Sequence, residues 1–230
     1  MHRSPVHYSC LIASILLAIS SKIAIAQEKQ TSIRNASAIG PVCPPHRGSN
    51  IPRPQGRDMT PAERTSFLDT LRKSPTGRTI VDQFSISMTQ AAAKRQNMTR
   101  YSHDPQHGNQ VTFNTADGQT YLWYPGNPVV LKGDWWACED RFGMTVKGAE
   151  TTMIPFGKIC FKYGPNTFNP ATGSKGNEWE CAPASKLEAT LVEQQKGDVF
   201  GLVKRTSVPF VLPREKTTMN QLLTQMPKGR

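Results

Sequence analysis

Residues 111–138, VTFNTADGQTYLWYPGNPVVLKGDWWAC, decide how this chain is read. Val111 and Phe113 alternate with polar neighbours, Tyr121 and Trp123 stand two apart around Leu122, and Ala116-Asp117-Gly118 lies between the two runs. Asp-Gly between alternating apolar runs signals a hairpin, because tight strand-connecting turns need positive φ, which these residues tolerate. The spacing predicts strands over 111–114 and 119–124. A turn follows at Tyr124-Pro125-Gly126-Asn127-Pro128, then a third strand over 129–138.

Downstream, residues 151–163 and 176–181 read as a further strand pair around a Gly-, Pro- and Asn-rich loop. Residues 199–204 and 208–212 are expected to close the sheet, and 217–226 (TTMNQLLTQM) predicts a final short helix. Upstream, Thr60 as N-cap, Pro61 at the first helical position and Glu63 completing a capping box mark a helix start. Ser74-Pro75-Thr76-Gly77 is expected to stop that helix. Residues 78–98 carry two conflicting periods, with Ile80, Phe84 and Met88 four apart but Phe84, Ile86 and Met88 alternating. The β-branched run Thr79-Ile80-Val81 tips the reading to a short strand, followed by a helical or irregular stretch. His103-Asp104-Pro105-Gln106-His107 reads as a solvated loop before the hairpin, since Pro105 removes the helical geometry by which histidines four apart bind metal. The fold class expected is mainly β, a small antiparallel barrel or sandwich of six or seven strands with one or two peripheral helices.

The start of the chain carries an address. Residues 10–19 (CLIASILLAI) form an uncharged apolar run, with Arg3 before it, Lys22 after it, and Ala24-Ile25-Ala26 at the end. Small residues at those two positions are what a signal peptidase reads, and the run is about half the ~20 residues a membrane span needs. Residues 1–26 are therefore read as a cleaved signal peptide. Residues 27–58 form an extended Pro/Gly-rich lead-in, and 59–230 a single disulfide-stapled β-rich domain with an N-terminal helix. The location expected is periplasmic or secreted, with no transmembrane segment in the mature chain.

Cys10 leaves with the signal, so Cys43, Cys138, Cys160 and Cys181 remain. An even set in an exported chain implies disulfides, and four cysteines allow three pairings. The turn-rich composition between Cys160 and Cys181 favours that bridge as a loop closure, and Cys43–Cys138 follows by elimination. No Cys-x-x-Cys pair is present, so no metal site is expected. No cofactor is expected either.

The chain has 28 Lys+Arg against 17 Asp+Glu, a formal net charge of +11 that falls to +9 when Arg3 and Lys22 are removed. Outside the cytoplasm such a balance favours anionic partners: an acidic glycan, a lipid headgroup or an envelope protein, and not nucleic acid. The candidate binding surface is aromatic: Tyr121, Trp123, Tyr124, Trp136, Tyr163 and Trp179. Successive strand residues face opposite sides, so Trp135 and Trp136 cannot share a single-sided core. Either the sheet is covered on both faces or some rings line a groove. No Gly-x-Ser-x-Gly elbow is present, and Gly173-Ser174-Lys175-Gly176 lacks the order of a phosphate loop. The expected function is a non-enzymatic exported binding domain. The alternative is a periplasmic enzyme acting on a glycan or envelope polymer, with carboxylates such as Glu178 and Glu180 in an aromatic cleft.

Gly77-Arg78-Thr79, Ala116-Asp117-Gly118, Gly133-Asp134-Trp135-Trp136 and Ile159-Cys160-Phe161-Lys162-Tyr163 follow one another along the chain. The series resembles secreted proteobacterial domains of unknown function with a Gly-x-Thr, Asp-Gly, Gly-x-Trp, Cys-Phe-x-Tyr pattern. The resemblance implies a small exported β domain of a Gram-negative bacterium and no assigned reaction. Residues 27–76 lie outside it.

Intact-mass measurement of exported protein is expected to place the mature N-terminus at Gln27. Material that keeps residues 1–26 would turn the signal into an anchor.

Overall fold

A computed structural model describes residues 38–46, 55–145, 150–170 and 172–227. The signal segment and lead-in residues 27–37 and 47–54 lie outside the described residues. The architecture is built on a long antiparallel hairpin, strands β6 (Leu131–Met144) and β7 (Thr152–Tyr163), paired from Gly133↔Tyr163 to Met144↔Thr152. Before it in the chain come β3 (Met98–Asp104), β4 (Gly108–Asn114) and β5 (Gln119–Trp123). After it come β10 (Glu180–Pro183) and β11 (Leu191–Lys196), giving the sheet order β10-β7-β6-β5-β4-β3-β11. Two-residue strands β1 (Ile39–Gly40) and β2 (Arg57–Asp58) add in parallel to β6 and β7. A separate small ribbon pairs β8 (Phe168–Asn169) with β9 (Ser174–Lys175). The chain is mainly β, but as one mixed sheet rather than a small antiparallel barrel or sandwich.

The Asp-Gly hairpin forms as read: Gly118 takes φ 92°, and β4 and β5 pair Phe113↔Tyr121 and Val111↔Trp123. Register then sorts the side chains. Tyr101, Val111, Phe113, Tyr121 and Trp123 share one face of the sheet and form a buried core with Phe200, Leu202, Leu212, Met219 and Leu222. On the other face, Trp135, Ala137 and Ile159 pack with Ala91, Ala92 and Ala184. Those alanines belong to helices α3 (Met88–Ala93) and α4 (Ala184–Ala189). The sheet is therefore covered on both faces, the first of the two alternatives posed by Trp135-Trp136.

The first helix, α1 (Pro61–Leu71), has the capping box read from the sequence, with Thr60 and Glu63 bonding reciprocally. The strand expected after Gly77 is instead helix α2 (Pro75–Phe84). Ser74 Oγ caps it by accepting from Gly77 N, Pro75 sets the first turn, and Gly77, Val81 and Phe84 make its buried stripe. A local cap and a helical apolar period outweigh three β-branched residues. Gly77 is obligatory, because a Cβ there would lie 2.0 Å from Leu71 O.

Two strands come from segments read otherwise. Residues 98–104 form β3, turned into β4 by Asp104 Oδ1, which accepts from Gln106 N and His107 N. The outer edge is β11, paired with β3, and not residues 199–204 or 208–212. Those residues cross the face of the sheet as an irregular covering layer with a 3₁₀ turn (Leu202–Lys204), ending in α5 (Met219–Thr224), the short helix expected within 217–226. The layer is tied down by buried polar groups. Trp123 Nε1 donates to Phe210 O (3.2 Å), Asn109 Nδ2 donates to Pro213 O and Glu215 O, and Tyr101 Oη accepts from Thr217 N.

Thermal melts test the two-sided core. Trp123 and Trp135 are 0% and 1% exposed, so truncating either to alanine is expected to cost ~3–5 kcal/mol. Half-buried Trp136 is expected to cost about 1–3 kcal/mol. A Trp136→Ala loss as large as that at Trp135 would contradict this ranking.

Candidate functional site

The six aromatic candidates do not converge. Tyr121 and Trp123 are core residues, their rings packed beneath the covering layer. Tyr124 is half-buried, with its hydroxyl 3.3 Å from His107 Nδ1. His103 Nδ1 lies 2.9 Å from Asn109 Oδ1, so both histidines of the 103–107 segment brace the β3–β4 turn. Tyr163 is opposite Gly133, where a Cβ would lie 2.8 Å from its ring, and its hydroxyl meets the Thr120 side chain. Burial pushes this phenol well above its ordinary range.

Trp136 and Trp179 do meet, around the cysteines. Cys43 is bonded to Cys138 and Cys160 to Cys181, across 95 and 21 residues. In the chain-entropy picture, closures of these lengths contribute about 4.7 and about 3 kcal/mol. Cys138 Sγ and Cys160 Sγ are 3.6 Å apart, so the two cystines form one buried cluster, with Trp136 and Trp179 against it. β1 lies directly on Trp136: a Cβ on Gly40 would come within 2.3 Å of the indole. Lysines line this region but are matched by carboxylates. Lys162 Nζ is 3.0 Å from Asp134 and 4.9 Å from the Trp179 ring centroid, and Lys158 Nζ is 2.6 Å from Asp140. The aromatic patch is consequently close to neutral.

Glu178 and Glu180 build the loop between the Cys160–Cys181 ends. Glu180 accepts from Asn169 Nδ2 (3.0 Å) and from Thr172 Oγ1, and Glu178 Oε2 accepts from Lys175 N (3.3 Å). Both carboxylates hold the β8–β9 ribbon in place.

The concentration of unbalanced charge lies on the opposite face of the sheet, among residues that no sequence motif marks. Arg100 on β3 is 3% exposed and donates to Lys94 O (2.8 Å), Gln194 Oε1 (2.9 Å) and Glu188 Oε1 (2.6 Å). Arg95, just past the end of α3, is 5% exposed and lies over the Phe161 ring, 5.7 Å from its centroid. Its contact with Glu188 Oε1 is long, 3.6 Å, and its Nε has no hydrogen-bond partner. Burial, with Arg100 beside it, pushes the Arg95 guanidinium down to about 9. The one available signal was the adjacency of Lys94-Arg95 to an alanine run, which places cations at the end of a buried helix.

No family model, no curated protein and no solved structure matches the chain. Among the described residues, no helix is long and apolar enough to cross a membrane. Two buried cystines are consistent with an oxidising compartment.

Thiol titration of the unreduced, denatured mature chain is expected to read close to zero. Two or more reactive thiols per chain would remove the cystine cluster as a feature of the native protein.

Proposed function

We propose that this is an exported, disulfide-stapled binding domain that holds an anionic component of the cell envelope. The binding surface is the outer side of its C-terminal covering layer. Phe200, Leu202 and Leu212 of that layer point into the core, while Lys204, Arg214 and Lys216 are exposed, with one exposed carboxylate, Glu215, between the last two. Val203 (43% exposed) and Val211 (81% exposed) belong to the same layer, Val203 next to Lys204 and Val211 three residues before Arg214. Cations interleaved with outward apolar residues suit an anionic amphiphile, because the charges draw the headgroup and the valines enter its apolar boundary. The layer is anchored beneath by Trp123, Asn109 and Tyr101, so it can carry a surface without being ordered by its ligand.

The observation that carries this reading over the enzymatic one is the commitment of the carboxylates. Glu178 and Glu180 are engaged in holding a loop, whereas the outward cations of the covering layer sit beside exposed apolar side chains. The resemblance to secreted domains without an assigned reaction is in keeping with it.

Co-sedimentation with vesicles tests the proposal. Binding is expected to anionic vesicles and not to zwitterionic ones. It should be lost as salt approaches about 1 M, where the screening length shrinks to about 3 Å. Replacing Lys204, Arg214 and Lys216 together with glutamine is expected to weaken binding at least tenfold without lowering the melting temperature. Val211→Ser should weaken vesicle binding but leave binding to a soluble acidic glycan unchanged. Absence of binding to either probe at low salt would defeat the proposal.

A further inference from the structure

We propose that the buried guanidinium of Arg95 anchors a binding site for one small carboxylate, on the sheet face opposite the covering layer. Arginine has five N–H donors and cannot leave them unpaired in an apolar setting without a large desolvation cost. Arg100 meets this demand with Lys94 O, Gln194 Oε1 and Glu188 Oε1. Arg95 does not. Its Nε is buried and unpartnered, and Nη2 approaches only a carboxylate oxygen already taken by Arg100, at 3.6 Å. A second buried donor without a partner, Asn114 Nδ2, lies on the same face. Asn114 pairs with Met98 of β3, and Met98 N bonds back to Arg95 O, so the two orphan donors belong to neighbouring positions.

Charge identifies the occupant. Arg95 and Arg100 are both at least nine-tenths buried and share the carboxylate of Glu188 with Lys94, whose ammonium lies 3.9 Å away and is half exposed to screening water, so one positive charge among the buried groups is left uncompensated. A monoanion balances it, and a phosphate dianion overshoots. The unpartnered Nε, with Nη2 beside it, forms the edge of a guanidinium that receives a carboxylate through two parallel hydrogen bonds, a match chloride cannot reproduce. The Phe161 ring and the cluster of Ala91, Ala92 and Ala184 nearby supply apolar surroundings suited to a short aliphatic tail. The side chains of Glu188 and Lys94 keep 17% and 47% exposure, so the cluster lies just under the surface. This site is independent of the outward cations of the covering layer, and either can fail without the other.

The test uses the mature chain, with sodium chloride replaced stepwise by sodium acetate at constant ionic strength. Acetate is expected to raise the melting temperature saturably, because a ligand that binds only the native state stabilises it by mass action. Chloride should give no such response, and phosphate only the unsaturating rise of an excluded salt. Arg95→Met is expected to abolish the acetate response, and Glu188→Gln, which removes the competing negative charge, to tighten it several-fold. Should Arg95→Met fail to fold, the Nε–H resonance of Arg95 in the wild-type protein gives the second reading. It is expected to shift with the same acetate midpoint as the melts. Equal melting in acetate and chloride, an acetate response that survives Arg95→Met, or an Nε–H resonance indifferent to acetate would each overturn the proposal.

Discussion

The β6–β7 hairpin presents Trp135, Ala137 and Ile159 to one side and Trp136, Cys138 and Cys160 to the other, and neither side is left to water. A sheet that is apolar on both faces must be covered twice, and the rest of the chain does this. Helices α3 and α4 supply alanines that let their backbones come close to Trp135 and Ile159. On the opposite face Cys43 packs on Cys138 and Cys160 and the C-terminal layer covers β3–β5, while Ala38 and Ile39 of the same N-terminal segment join the Trp135 side. Residues 38–46 bury Ala38 but leave Val42 largely exposed, and the Cys43–Cys138 bond adds a covalent tie to β6.

Local chemistry made part of this legible. The Asp-Gly turn, the capping box at Thr60 and Glu63, and the turn-rich stretch between Cys160 and Cys181 each act within a few residues, and each appears in the structure. Long-range pairing was hidden. β11 reads LVEQQK and looks like a solvated stretch, because an edge strand needs only one neighbour and exposes its polar side chains. β3 was masked by Arg100, a charged residue at a buried position, which no hydrophobic period can anticipate. In α2 the β-branched run pointed to a strand, yet Ser74 and Pro75 start a helix and Gly77 allows it to turn tightly against Leu71.

The candidate site shows the same division. The aromatic residues stood out in the sequence, but most of their area serves packing. Trp123 and Tyr101 also spend their polar ends on fastening the covering layer. Among the described residues three buried donors have unmet bonding capacity: Trp136 Nε1, within the aromatic set, and Arg95 Nε and Asn114 Nδ2, which no hydrophobic pattern marks and which strand register places on one face of the sheet. Unspent donors inside a packed structure are a more direct sign of a missing partner than aromatic content.

The order of the cystines along the chain matters for how the protein is made. The four described cysteines pair first with second and third with fourth. A chain that emerges N-terminus first into an oxidising compartment exposes Cys43 alone until Cys138 arrives, and the native partner is then the only one on offer. Cys160 and Cys181 follow as a second pair after the first is closed. Oxidation in order of emergence would yield this connectivity without reshuffling, because consecutive pairing leaves no cysteine waiting across another pair.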